Sequence, residues 1–530
     1  MYKTTKAILV LSMFVVIGGT LSVLLGQDSN FDLQNYHLYN AYSFLHNRLW
    51  WDLAPANVQT FYNPILDVPY YIMLLVFPRS EIFAAFVMGT YYGLGVFLLW
   101  KAATELFRNI PHQTIYAALA TAVGTTGAAG LSQLGATFNE WQVAVLYLAS
   151  VAAVLTWIDD ARPQFWRVLL CGALTGLAAG CKLTAVPFGV AAFGSAVVVQ
   201  ETSVQRLRVA VIFCLGIIIG FAITGGAWCW IMYSNFGNPV FPYFNGLFHS
   251  PWADPVSIRD ERFLPHGLLE SLTYPFHWAL SRSTRVSELY IRDPRLAIVL
   301  SIIYILFGVT LCTVICKLRN SKHYFIGIDA PIPRRWKYIL LLFITSYFLW
   351  QFLFSVYRYV IPLEAISGII IVGASYHFLN KITSIRLVQL GAVAMFGIGI
   401  ILITVSPDWG HVTFQSGSPG VSVPELPRES LVIVSKAGPL SFVIPFFQQD
   451  MRFVRGIYSA RDKNQYNKLI DELIGRHAGP LLFLEYAQVS SEEDEQQLQQ
   501  LRLIKVEAEC VPLKSQLTPV GIQICPLRRK

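Results

Sequence analysis

Eleven apolar runs, almost free of charge, constrain this chain more than any other feature. They fall at about 7–26, 81–103, 113–131, 141–157, 168–181, 184–200, 209–233, 295–316, 338–356, 359–376 and 387–405. A helix needs roughly 20 apolar residues to cross a bilayer. Only helices and closed barrels satisfy their backbone groups there, and runs this continuous specify helices. Charged residues make up 14% of the 530 positions, against about 25% in soluble domains. The bilayer is therefore the solvent for most of the sequence. The fifth and sixth runs are short and nearly continuous, and are the least sharply defined.

The loops between the runs assign sidedness. Lys3 and Lys6 precede the first run, which is too long for a signal-peptide core and has no A-x-A cleavage site after it; it is read as the first span. Alternation from a cytoplasmic N-terminus then places Lys101/Arg108, Arg162/Arg167, Arg206/Arg208, the cluster Lys317, Arg319, Lys322, Arg334, Arg335 and Lys337, and Lys381/Arg386 inside. Every short inside loop carries at least two basic residues, as the positive-inside rule requires. The formal charge of +8 is thus a signature of topology and not of nucleic-acid binding. Two long loops, about 27–80 and 234–294, and everything after about 406 fall outside. Segments 33–49 and 64–77 of the first loop read as interface helices, rich in the Trp and Tyr that favour headgroup level.

The expected fold class is mainly α: a polytopic membrane domain over 1–405, a linker over 406–427 and a small extracytoplasmic α/β domain over 428–530. In the last, strand-like runs at 431–435, 451–454, 481–484, 503–511 and 520–525 alternate with helical stretches near 439–449, 464–476 and 490–501. It carries neither G-x-G-x-x-G nor a Walker loop. Of the eight cysteines, Cys510 and Cys525 each lie near a late strand; they form a disulfide in an oxidising compartment or remain buried thiols. No internal repeat of the transporter kind is visible.

Chemistry concentrates outside. Asp28 and Asp32 follow the first span and stand four apart, on one face if helical. Asp32, Asn35, Tyr36 and Tyr39 would extend a polar stripe. Carboxylates beside a membrane are costly unless they have a role or a partner; capping the next helix is the plain alternative. Arg358 emerges between Tyr357 and Tyr359 and suits phosphate oxygens, or snorkels. Lys182 sits in an outer turn where positive charge is otherwise scarce. Asn139 and Glu140 could share the cavity. Gly237-Asn238-Pro239 is foremost a turn signal, and Arg259, Arg262, Arg282 and Arg285 read as solvated. His37 and His46 lie nine apart, poorly placed to share a metal, so no metal is expected.

The phrases Asp32-Leu-Gln-Asn-Tyr36-His37-Leu-Tyr39-Asn40, Tyr62-Asn63-Pro64, Gly180-Cys-Lys182-Leu-Thr184, Gly237-Asn238-Pro239-Val-Phe241-Pro242 and Tyr357-Arg358-Tyr359-Val-Ile-Pro362, in this order and on this side, resemble the bacterial GT-C superfamily of membrane glycosyltransferases over about residues 1–405. The resemblance implies transfer of a sugar from a polyprenyl-phosphate carrier to a glycan, lipid or protein acceptor on the outer face of a bacterial inner membrane. It implies no cofactor, a catalytic aspartate in the first outer loop (Asp32 or Asp28), and substrate contacts from Tyr36, His37, Asn63, Lys182, Asn238, Arg358 and Tyr359. The paired Asp-Glu of some branches is missing here. A lipid-linked saccharide flippase or other transporter is the competing expectation, but it calls for ionisable groups at mid-membrane, and the runs carry almost none away from their ends.

Overall fold

All eleven runs are helical in the computed structural model, which describes residues 2–77, 80–318, 332–414, 420–456, 464–489 and 491–530. In chain order the helices are α1 (Tyr2–Leu25), α2 (Leu38–Leu45), α3 (Asp67–Val76), α4 (Ser80–Phe107), α5 (Gln113–Thr125), α6 (Ala128–Ser132), α7 (Glu140–Leu155), α8 (Phe165–Cys181) and α9 (Val186–Val198). There follow α10 (Ser203–Phe221), α11 (Ala227–Phe236), α12 (Asn245–Phe248), α13 (Gly267–Thr273), α14 (Arg295–Leu318), α15 (Arg334–Leu353), α16 (Ile361–Ile382) and α17 (Arg386–Ile403). Among the described residues seven helical stretches have the length and composition to span alone, the longest being Ser203–Phe236, where α10 and α11 join through a π-helical turn. Segments Glu140–Leu155, Phe165–Cys181 and Leu183–Val198 are apolar but shorter. Side chains such as Leu24, Ile218, Leu387 and Leu402 lie exposed on helix flanks, as lipid contact requires. The protein is an integral membrane protein. The run at 113–131 is two helices: α5 stops at Thr125, and Gly127 leads into α6.

Polar contacts sort the helix ends into two layers. At one end Arg335 bridges Glu105 and Asp159 at 3.0 and 2.6 Å, and Arg334 reaches Glu201 and the carbonyl of Ile158. That gathers the end of α4, the α7–α8 and α9–α10 connections and the start of α15, as alternation demands. Arg319 and Lys322 of the same basic cluster lie outside the described residues. Between the layers, backbones meet at glycine. A Cβ on Gly176 of α8 would stand 2.1 Å from the Ile217 carbonyl of α10, and one on Gly93 of α4 would stand 2.2 Å from the Phe14 carbonyl of α1. Small residues let helices approach this closely in lipid, where no hydrophobic force drives them together.

At the other end sit the first loop and the tail. Strand β1 (Gln27–Asp28) pairs with β2 (His411–Val412). Asp28 is thus extended and does not share a helix face with Asp32; pairing with the returning chain overrides the four-residue spacing. The tail sheet uses β3 (Val421–Ser422), β4 (Leu431–Val434), β5 (Arg452–Val454), β6 (Leu481–Tyr486), β7 (Leu503–Lys505), β8 (Val511–Ser515) and β9 (Ile522–Arg529). Their order is β3-β8-β9-β6-β4-β5, with β7 on β9. β4 runs parallel to β5 and β6, and β9 is antiparallel to its neighbours. Helices α18 (Gln465–Arg476) and α19 (Glu492–Gln500) complete the unit. The helix expected near 439–449 is a 3-10 turn over Ser441–Phe446, with Pro445 inside it and unable to donate to a longer helix. Cys510 and Cys525 are bonded to each other.

The tail is fastened to the first loop. Arg48 pairs with Asp52 at 2.7 Å and donates to the carbonyls of Gln449 and Met451; Asp52 accepts from Phe453 N–H at 2.9 Å. Leu53 bridges Val454. Burial raises the Asp52 carboxyl pKa above its ordinary value although Arg48 opposes the shift.

Candidate active site

Asp32 stands at the head of a π-helical turn, Leu33–His37, that runs directly into α2. The cap of this turn is Asn30, whose Oδ1 accepts from Leu33 N–H at 2.8 Å; Asp32 makes no capping bond and is left for another task. Its Oδ2 accepts from Nη1 of Arg358 at 3.0 Å and from the Tyr36 hydroxyl at 3.3 Å. Residues 326 apart in sequence, placed together only by topology, therefore form an ion pair whose side chains are 6% and 17% exposed. Burial, then the nearby Asp32 charge, raises the Tyr36 phenol pKa well above its ordinary value, so it stays a neutral donor. Of the proposed stripe only Tyr36 faces Asp32. Asn35 donates to Gln59, and Tyr39 donates to Asp52 at 3.1 Å.

Arg358 lies on the 3-10 turn Tyr357–Val360 that starts the α16 span. Its guanidinium carbon is 4.9 Å from the Phe138 ring centroid, 5.6 Å from Tyr359 and 6.0 Å from Trp409, an aromatic collar favourable to a cation. Its Nε is buried with no hydrogen-bond partner among the described residues. Lys182, at the end of α8, is 5.6 Å from the same Tyr359 ring, donates to the Phe138 carbonyl at 2.8 Å and pairs with Glu140. Two cations thus flank one tyrosine, each paired with its own carboxylate, Arg358 with Asp32 and Lys182 with Glu140. Tyr62 and Tyr243, 2.6 Å apart through their hydroxyls, add a wall: the Tyr62 ring meets Tyr36 edge-on at 5.1 Å. Burial raises the pKa of Tyr243 to about 12, so this wall is uncharged.

The remaining candidates are placed differently. Both oxygens of Asp28 are occupied, by Asn30 and by the backbone and hydroxyl of Thr137 at 2.8 and 2.7 Å; it clasps the first loop to the approach to α7. His37 Nδ1 meets Asp67 at 2.7 Å, and Asn139 donates to the same carboxylate at 2.6 Å. Asn63 donates to the carbonyls of Gly180 and Thr224 and accepts from Ile65 N–H. Asn238 is fully buried and closes its own turn, accepting from Val240 N–H and donating to the Tyr243 carbonyl. Asn63 and Asn238 therefore spend their amides on backbone. Arg262 is paired with Asp260 and Glu288, and Arg285 with Glu270.

The sequence reading did not single out Asp67, Asp293, Arg295 or Glu364. The last three are completely buried. Asp293 pairs with Arg295 at 2.7 Å and accepts from Ala128 N–H, while Glu364 accepts from Ala129 and Gly130 N–H at 2.9 and 2.8 Å. A carboxylate in the first turn of an apolar helix is the signal that could have found Glu364.

Among solved structures the chain is similar to ArnT from Cupriavidus metallidurans in the apo state, with a TM-score of 0.51 and 13% identity across 99% of this chain and 98% of that one. It is also similar to the same protein bound to undecaprenyl phosphate, with a TM-score of 0.49 and 13% identity over 98% of each chain. The chain therefore shares the fold of the apo structure along nearly the whole length. No protein-family model and no curated protein matches the sequence.

Proposed function

We propose that this protein is a membrane glycosyltransferase. It moves a sugar from a polyprenyl-phosphate donor to a hydroxyl acceptor on the extracytoplasmic face of a bacterial inner membrane. The observation that carries the reading is the Asp32–Arg358 pair, 3.0 Å apart in its aromatic collar. Such transfer needs a base for the acceptor proton and cations where charge collects on the departing phosphate. Asp32 is that base. Arg358, with an Nε still unpartnered, and Lys182 hold the phosphate. As the acceptor oxygen bonds to the anomeric carbon and the carbon–oxygen bond to phosphate breaks, Asp32 takes the proton and the phosphate leaves as an anion against the two cations. Tyr36 holds Asp32 in aim, and Tyr359 spaces the cations. Asp28, His37, Asn63 and Asn238 keep the loops that present these groups in place.

The disulfide Cys510–Cys525 supports an oxidising compartment for the tail, and the Arg334/Arg335 clusters at the opposite helix ends support the same orientation. In proteoliposomes supplied with polyprenyl-phosphate sugars, Asp32→Asn lowers transfer by about 10²–10⁴-fold, the usual worth of a general base, while the thermal midpoint is retained. Activity within a few-fold of the parent would remove Asp32 from its role.

A further inference from the structure

The buried carboxyl groups of Asp293 and Glu364 contact none of the groups assigned to chemistry among the described residues, yet they hold a segment that touches both cations. That segment runs from α6 to the start of α7. Its Gln133 donates to the Arg358 carbonyl at 2.8 Å, and its Ser132 accepts from Trp409, whose ring flanks Arg358. Its Phe138 lies beneath the Arg358 guanidinium and offers its carbonyl to Lys182. Arg358 and Glu364 lie six positions apart on the same stretch, so the contacts close a loop: Arg358 carbonyl, Gln133, α6, the N–H groups of Ala129 and Gly130, Glu364, and back along α16.

The rest of the cluster reinforces this. Arg295 is completely buried and neutralises Asp293. It also donates to the Val123 and Thr126 carbonyls and to Thr404, binding the end of α5 and the end of α17 to the same point. Arg295 serves Asp293, so the oxygens of Glu364 rest on α6 N–H groups instead. Gly127 is what allows the approach, since a Cβ there would stand 2.1 Å from Glu364 Oε2. A buried carboxyl group is costly unless it is hydrogen-bonded, and here it is kept, with both oxygens bonded, at the point where α6 begins.

We infer that Glu364, seconded by Asp293, is a positioning residue: through α6 and Gln133 it fixes Arg358 and the Phe138 carbonyl where a lipid phosphate is received. The inference rests on the phosphate-binding reading of Arg358. Glu364→Gln is the sharpest change, because the amide keeps the shape but presents an N–H₂ to one of the two backbone donors. With polyprenyl monophosphate as probe and protein in nanodiscs, Glu364→Gln weakens binding by about tenfold or more, the size expected when a buried donor loses its partner. Gln133→Leu alone weakens it similarly, and the two changes together are clearly less than multiplicative. Unchanged probe binding by the folded Glu364→Gln protein, with only a lowered thermal midpoint, would overturn the inference. So would fully multiplicative effects. If the parent itself fails to bind the probe, the donor reading falls and the clamp is judged by amide hydrogen exchange. Residues 128–134 then exchange at least about tenfold faster in Glu364→Gln, and unchanged exchange refutes the clamp.

Discussion

The helix bundle and the layer above it are held together by opposite means. In the bundle, α8 meets α10 and α1 meets α4 through glycine, with carbonyls where a side chain would otherwise be. In the layer above, the first loop and the tail meet through Arg48 and Asp52, whose side chains are 5% and 0% exposed. They meet also through buried aromatics, Phe61 of the loop against Tyr466 of the tail, with Phe236 at the end of α11 and Phe241 beyond it packed on Phe61. Lipid gives no reward for bringing apolar surfaces together, so contact distance is what remains to stabilise helix pairs. In water, burial itself drives association, and can carry the cost of ordering an ion pair. The candidate site lies at the seam, where a cation at the start of a span meets a carboxylate of the watered loop.

The comparison is broken hardest at Arg48. Removing it strands the Asp52 carboxylate, and an uncompensated buried charge costs about 3–5 kcal/mol. Arg48→Ala should therefore loosen the tail, read as a lower thermal midpoint and as proteolysis between the tail and the spans, with the helix bundle intact. The pH dependence has a definite sign. Folding raises the Asp52 pKa, so its penalty is absent where the carboxyl is protonated and grows as pH rises through the folded value. Losing Arg48 removes the opposing influence. The deficit of the variant relative to the parent should then shrink as pH is lowered; a deficit constant across pH would mean that the lost bonds to Gln449 and Met451, not the stranded charge, explain it.

The bundle is broken at Gly176. Its Cβ would meet the Ile217 carbonyl at 2.1 Å, and the obstacle is backbone, which cannot rotate away. Gly176→Val should cost about 1–3 kcal/mol as overpacking does, and it should do so regardless of pH. Reversible unfolding in mixed detergent measures it. An effect that varied with pH, or none at all, would show that α8 and α10 are not held by close approach.

How much of this was legible beforehand follows the same division. The spans could be read because apolar runs of this length have one use, and their alternation put Asp32, Lys182 and Arg358 at one end, where they are found within a few ångströms of shared partners. The four-residue spacing of Asp28 and Asp32 misled, because it carries meaning only inside a helix, and a two-residue strand with His411–Val412 intervenes. The resemblance implied substrate contacts for Asn63 and Asn238; the turn reading of Gly237-Asn238-Pro239 holds, while for Asn63 the sequence does not say whether an amide faces a substrate or a backbone carbonyl, which depends on chain 117 and 161 residues away. Asp293 and Glu364 escaped notice for a related reason. Each spends a carboxylate oxygen on an N–H of α6, and no side-chain pattern marks a backbone donor; only the place of Glu364 in the first turn of an apolar helix carried a signal.

The smallest test acts where the two regions touch. Asn63 belongs to the first loop, yet its Nδ2 donates at 2.9 Å to the Gly180 carbonyl at the end of α8 and at 2.8 Å to the Thr224 carbonyl in the π-helical turn after α10, while its Oδ1 caps the turn at Pro64. It is thus a polar bond of the upper layer spent on the same pair of helices that glycine brings together. Because the residue is only partly buried and water can replace part of what is lost, Asn63→Ala should cost about 1 kcal/mol, near the net worth of an ordinary hydrogen bond. Its effect should add to that of Arg48→Ala, which lies elsewhere in the layer, but not to that of Gly176→Val, which already displaces α8 from α10. A double-mutant cycle separates the two cases. Coupling to Gly176 and none to Arg48 would show that the seam takes its order from the bundle, so that Lys182, two residues beyond Gly180, is placed by helix packing. The reverse pattern would hand that control to the tail.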